Sequence, residues 1–226
     1  DGGPPNGKLL ENLAKILPAG DRYIDLVMVS HPQLDHFGGL VEVLKRYRVG
    51  AFLWNGRSGT ASAWGELEKA IKENSIRSVI LGGRDKIHYE KNRLNIISPN
   101  PEFLKSKELN DTTLVTELLS NNSKALFTGD IGFNVEETLP KSHIDILKVA
   151  HHGSKFSSGE KFLASISPKL AVIGVGKNSY GHPTKEAIAR LQNAGAKIYR
   201  TDQDGTVRLS IDGKGIKVLK KRKVNQ

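Results

Sequence analysis

The chain has 226 residues, 38% hydrophobic and 26% charged, with 34 basic against 24 acidic side chains and a formal charge of +10. That fits one large globular domain or two small ones, excludes a disordered polyelectrolyte and favours acidic partners such as nucleic acid, anionic lipid or phosphorylated substrates. No apolar run approaches the roughly 18–20 residues of a membrane span, and the absence of cysteine excludes disulfides, thiolate metal sites and cysteine nucleophiles.

The chain opens at Asp1-Gly2-Gly3-Pro4-Pro5 with no initiator methionine, as a piece of a longer protein would. Residues 2–8 match the first seven positions of a phosphate-binding loop. Leu9 stands where a magnesium-binding Ser or Thr is required, and Pro4 and Pro5 remove two N–H donors, so the match is coincidental. Residues 7–17 have helical apolar spacing, with Asn6 as the expected N-cap. Residues 24–29 read as a buried strand ending in a loop at Ser30-His31, and 37–47 return to helical period. A strand at 51–54, a helix over Ser62–Glu73 and a strand at 79–81 follow. Lys86–Tyr89 and 94–97 read as a hairpin, 100–111 as irregular, and 112–119 with 125–128 as a second hairpin. Residues 144–150 form a strand running into the polar loop 151–159. Helix and strand then alternate through Glu160–Ile166, 170–175, 184–194, Lys197–Arg200 and 206–211, and the basic run 217–226 reads as a solvated end. The pattern, without repeats or linkers, predicts one compact α/β domain over residues 1–226.

Polar residues cluster where these strands end, which is where α/β proteins gather ligand sites. The clusters are His31-Pro32-Gln33-Leu34-Asp35-His36, Thr128-Gly129-Asp130, His151-His152-Gly153-Ser154 and Gly181-His182-Pro183. Five of the seven histidines lie in these loops. Histidine and aspartate are nitrogen and hard-oxygen metal ligands, and loops at neighbouring strand ends can aim several at one point. The bland alternative is that Asp35 caps a helix and the histidines are surface residues.

His-x-x-x-Asp-His-x-Gly-Gly after an apolar strand resembles the signature of the metallo-β-lactamase superfamily. The segments 126–131 (Leu-Phe-Thr-Gly-Asp-Ile), 147–155 (Leu-Lys-Val-Ala-His-His-Gly-Ser-Lys), 178–183 (Asn-Ser-Tyr-Gly-His-Pro) and 110–115 (Asn-Asp-Thr-Thr-Leu-Val) are similar to the metallo-β-lactamase-like domain of ComEC-type competence proteins. The resemblance spans residue 1 to about Gly205. It implies an αββα sandwich, with the family's first strands missing from this chain. It also implies a divalent-metal phosphodiesterase or nuclease acting on DNA, with manganese preferred and zinc as the alternative, and one or two ions. The implied setting is natural transformation, with the chain degrading the strand that is not imported. There it would lie on the outer face of the bacterial cytoplasmic membrane beside a channel portion of the same protein, with single-stranded DNA as partner.

Residue by residue, the resemblance implies that Asp130 bridges two ions, Asp35 and His36 ligate the second with His182 as its last ligand, and His31 ligates the first. Asp35, His151 and His152 are the candidate catalytic residues, either histidine serving as ligand, phosphate contact or general acid. Gln33 departs from the pattern, which has histidine there, and a neutral amide oxygen is a weak ligand better suited to hard ions than to zinc. Asp111 can compensate as an oxygen ligand or merely cap a turn, so the first metal site is expected to be weak. Lys148, Ser154, Lys155 and Tyr180 are candidate substrate contacts. Ser154, Ser157 and Ser158 alternatively cap the helix near Glu160. Trp54 and Trp64 can stack bases but more often belong to a core, and His88 and His143 read as structural. Two other readings compete: a metallo-hydrolase of a small lactone or thioester, and a DNA-binding module whose metal site has decayed.

Overall fold

The computed structural model describes residues 1–221; the last part of the basic run, 222–226, lies outside the described residues. Apolar side chains alternate sides along the strands, and this sets the layers. Within Arg48–Trp54, Phe52 packs with Val27, Phe37 and Leu67, while its neighbour Leu53 turns to the opposite face and meets Ile96 and Leu114. Within Asn92–Ser98, Ile96 belongs to that middle cluster and Ile97 packs into a third one with Leu147, Leu163 and Ile173. The order is therefore helices, sheet, sheet, helices, the αββα arrangement expected.

The first sheet is a parallel β1-β2-β3 array of Tyr23–Met28 (β1), Arg48–Trp54 (β2) and Arg77–Ile80 (β3). Its outer face is covered by α2 (Leu34–Phe37), α3 (Leu40–Arg46) and α4 (Ser62–Glu73), after the amphipathic α1 (Lys8–Ile16). Among the described residues β1 is an edge, and Tyr23 and Leu26 on it are exposed. The second sheet has seven strands. β4 (Lys86–Tyr89), β5 (Asn92–Ser98), β6 (Val115–Ser120) and β7 (Ser123–Phe127) run antiparallel. After α5 (Phe133–Glu136) come β8 (Ile146–Lys148), β9 (Leu170–Ile173) and β10 (Lys197–Arg200). These join β7 in parallel, with α6 (Glu160–Ile166) and α7 (Lys185–Asn193) as crossovers. A short α8 (Thr201–Asp204) leads to a hairpin of β11 (Thr206–Asp212) and β12 (Gly215–Lys221).

Several expectations are corrected. The N-cap of α1 is Gly7, in the left-handed region at φ 75°, while Asn6 Oδ1 accepts from Lys8 N–H just before it. The helix expected at 37–47 is broken at Gly38-Gly39, because Gly39 N–H donates to Gly3 O in the amino-terminal turn. The basic run does not begin as a solvated end: Ile216 and Val218 alternate along β12 and pair it to β11.

The serines before α6 do not cap it either. The buried carboxylate of Glu136 accepts the N–H groups of Ser158 and Gly159, the latter at 2.9 Å. Arg190 holds the same loop from the other side, donating to the carbonyls of Lys155, Ser157 and Ser158. Burial pushes the Glu136 carboxyl up, against the two N–H donors and Arg190. A carboxyl raised in the folded state contributes stability below its unfolded value near 4.5, and that contribution is lost as pH rises through the folded value. Glu136→Gln is therefore expected to cost more stability at pH 4.5 than at pH 7, read from urea midpoints. A gap that stays constant or widens with pH would show that the fold does not raise the Glu136 carboxyl.

Candidate metal centre

The parallel strands β7, β8 and β9 end on the same side, so the loops that follow them meet. His151 N–H donates to Gly129 O at 2.9 Å, and Thr128 Oγ1 donates to Lys148 O at 2.6 Å, locking the β7 loop to the β8 loop. Gly129 sits at φ 50°, and a Cβ there would lie 2.5 Å from Thr113 Cγ2, so the turn that delivers Asp130 admits only glycine. The loop after β1 joins them through Leu114 N–H, which donates to Ser30 O at 2.8 Å. His151 and His152 both have positive φ, 49° and 52°, in the sparsely populated left-handed region. Neighbours in extended backbone point to opposite sides; this twist turns both rings toward Asp130, with Nε2 atoms 3.8 and 3.7 Å from Asp130 Oδ2.

Asp35, His36, Asp130 and His152 bring one ligand atom each within 4.8 Å of one another. His36 Nε2 is 3.2 Å from Asp130 Oδ2, and His152 Nε2 is 3.5 Å from Asp35 Oδ2. The other ring nitrogens are held from behind. Asp1 Oδ1 lies 3.0 Å and Ser30 Oγ 3.1 Å from His36 Nδ1, and His152 Nδ1 donates to Gly174 O at 2.7 Å. Both rings thus hold Nδ1 against an oxygen and turn Nε2 toward the carboxylates, the orientation of a metal ligand. His31 Nε2, His36 Nε2, His152 Nε2 and Asp130 Oδ1 are buried with no hydrogen-bond partner among the described residues. Such atoms are costly to leave unmet, and acceptor atoms converging on acceptor atoms fit a cation. The set of two imidazoles and two carboxylates suits a divalent metal ion in kind.

The charges agree. Burial alone would raise the Asp130 carboxyl, but the His36 ring against it, and His36, His152 and His31 when protonated, hold it well below the usual range. The His152 ring lowers Asp35 in the same way, against its partial burial. Burial, then the neighbouring His36, pushes His31 down to about 4, so it is neutral at physiological pH. Burial also lowers Lys148, against the pull of Asp130.

Other residues of the sequence reading fall in various places. His31 is buried with its ring 4.1 Å from His36, beside the group of four rather than in it. His182 is also outside that group, its ring edge-on to His151 at 5.6 Å, and His152 lies within it. Gln33, Lys148, His151 and Tyr180 line the same cleft. Asp111 does not: its oxygens accept from Ser106 and Asn134, and its neighbour Asn110 faces the cleft instead. Ser154 is buried, and its hydroxyl accepts from Phe156 N–H at 3.3 Å within its own loop. Lys155 is exposed. Trp54 and Trp64 pack on each other in the core and are not placed to stack bases. Sequence reasoning missed Asp1, Ser30 and Gly174 O, which orient the rings; only the serine's position directly before His31 offered a signal.

A family model described as Metallo-beta-lactamase superfamily matches residues 1–177. Among curated proteins, ComE operon protein 3 of Bacillus subtilis (strain 168) is 28% identical over 193 residues, covering 83% of this chain and 25% of that protein. Competence protein ComA of Neisseria gonorrhoeae is 28% identical over 215 residues, covering 90% and 28%. Recombination protein 2 of Haemophilus influenzae is 26% identical over 190 residues, covering 83% and 22%. The chain thus spans about a quarter of the length of these relatives. Among solved structures, the metallo-beta-lactamase fold protein YhfI from Bacillus subtilis aligns with a TM-score of 0.57 at 10% identity, covering 86% of this chain and 80% of that one. Zn(2+)-bound PqqB from Methylobacterium extorquens aligns with a TM-score of 0.52 at 12% identity, covering 88% and 79%. These two likenesses speak for the fold.

Proposed function

The chain belongs to the metallo-β-lactamase superfamily, and on that footing we propose that it is a metal-dependent phosphodiesterase that cuts DNA. The observation that carries the proposal is the group Asp35, His36, Asp130 and His152, with its unmet buried atoms, at the base of a cleft. These four residues would hold a divalent ion, manganese by preference. Such an ion supplies Lewis-acid polarisation of a phosphoryl oxygen and makes water a nucleophile at neutral pH. His151, held beside Asp130 but outside the group of four, is placed to move a proton to or from a phosphate oxygen. Lys148 lines the cleft wall with its Nζ 2.7 Å from Asp1 Oδ2.

The cleft measures about 1430 Å³, beyond the roughly 300–1,000 Å³ of small-molecule sites, which favours a polymer over a lactone or thioester. The charge of +10 suits a polyanion. The relatives named for competence and recombination support a role in DNA uptake, with the chain serving as the extracytoplasmic part of a membrane protein. None of the helices among the described residues is long and apolar enough to cross a membrane.

The test is cleavage of linear single- and double-stranded DNA with manganese, magnesium and zinc supplied separately, beside binding at 50 and 200 mM salt. Cleavage with manganese is expected, and affinity should fall by roughly 10³-fold or more over that range if six or more phosphates are contacted. Tight, salt-sensitive binding without cleavage under any metal would leave a DNA-binding module. Salt-insensitive binding would point to a small substrate.

A further inference from the structure

The rim of the cleft carries aromatic rings that packing does not explain. Tyr180 is 81% exposed and Phe156 63%. Both line one recess of about 450 Å³, which shares His151, Tyr180 and His182 with the cleft of the metal ligands. The Tyr180 ring stacks on His182 at 5.9 Å and 29°, and His182 meets His151 edge-on at 5.6 Å. A ladder of rings therefore runs from solvent to His151, whose Nε2 is 3.8 Å from Asp130. On the opposite wall Lys155 Nζ lies 5.0 Å from the centre of the Phe156 ring.

Both rings stand on braced backbone. Asn178 Oδ1 accepts the N–H groups of Tyr180 and His182, and Asn178 Nδ2 donates to the carbonyls of Gly176 and His182. Phe156 rides on the loop clamped by Glu136 and Arg190. Exposed rings on fixed supports lose little entropy when a flat partner settles on them. Glu186 on the recess wall repels phosphate there, while Lys155 attracts it. A fitting ligand thus has flat apolar faces for the rings and a negative backbone for the lysine side. A nucleic acid strand has both, but only an unpaired strand has free base faces, since each base of a duplex is already stacked and paired.

We propose that Tyr180 and Phe156 form a nucleobase platform, so that the chain takes single-stranded nucleic acid with bases stacked next to the phosphate presented to the metal ligands. The inference rests on the phosphodiesterase reading for the placing of that phosphate, and names the strand form of its substrate.

The test uses the whole chain in a chelator, where no cutting occurs, and fluorescence anisotropy of three probes. These are a single-stranded oligonucleotide, its abasic counterpart of equal length, and a duplex. Tyr180→Ala and Phe156→Ala should each weaken the single-stranded probe by roughly 5- to 100-fold, the range for loss of one stacked base. Tyr180→Phe, which keeps the ring, should bind as wild type does. The abasic probe should bind wild type weakly and ignore all three substitutions. The platform is overturned if the abasic probe binds as tightly as the normal one, if the alanine variants weaken all probes equally, or if they change nothing. A separate cleavage assay with manganese keeps the two readings apart. Ring-dependent binding without cutting supports the platform and removes the phosphodiesterase; cutting with ring-independent binding removes the platform alone.

Discussion

Asp130→Ala is expected to abolish metal-dependent cleavage of DNA and, by calorimetry, to remove the binding of divalent ions. Asp130 is the buried carboxylate on which His36, His151 and His152 converge, and one of its oxygens has no hydrogen-bond partner among the described residues. Without it the imidazoles remain but the charge that draws an ion to them does not. Lewis-acid stabilisation is worth several kcal/mol, so the rate should fall by on the order of 10³-fold or more at 1.36 kcal/mol per tenfold. Asp111→Ala is the control. Its carboxylate lies outside the cleft and accepts only from Ser106 and Asn134, so ion affinity and rate should stay near wild type. If Asp130→Ala keeps its ions, or Asp111→Ala loses them, the assignment of the centre is wrong.

Gln33→His should act in the opposite direction. Gln33 lines the cleft two residues from His31, a buried ring with which its side chain interacts. An imidazole at 33 would complete a nitrogen pair with His31 and give a second ion a site that a neutral amide holds loosely. Affinity for that ion should rise by on the order of tenfold or more, the scale on which neighbouring groups tune metal sites. Stoichiometry in a manganese titration should move from one toward two per chain, and the rate at limiting metal should rise. Asp111 is turned away, its oxygens accepting from Ser106 and Asn134. A wild type that already binds two manganese ions tightly, and a Gln33→His variant with unchanged affinity and rate, would refute the weak-site idea.

Much of this fold was legible because local pattern and tertiary environment agree. Ser62–Glu73, Lys86–Tyr89, Glu160–Ile166 and Lys197–Arg200 are the elements their periodicity predicts, to the residue. The failures lie where a distant contact overrides local preference. The helical period of residues 37–47 runs across Gly38 and Gly39, and the hydrogen bond from Gly39 to Gly3 splits it. The lysines of Gly215–Lys221 hide a strand whose reason is its partner, Thr206–Asp212. At the site, the sequence supplies the residue types but not their aim. Asn110 and Asp111 are adjacent in one turn, and nothing local says which faces the cleft. His152 and His182 both follow strands, and the acceptor at Gly174 O, 22 residues from His152, is what orients the nearer ring.

The twisted backbone at His151 and His152 has a thermal consequence. Two successive non-glycine residues in the left-handed region cost on the order of 1–3 kcal/mol each, a burden on the native state. A ligand that binds only the folded chain offsets such a burden by mass action, by about 2.7 kcal/mol at one hundred times its dissociation constant. If an ion seats among Asp35, His36, Asp130 and His152, the melting temperature is no fixed attribute of the sequence. It is set jointly by the polypeptide and the free metal around it, and the histidine loop is the part of the molecule through which the solution sets it.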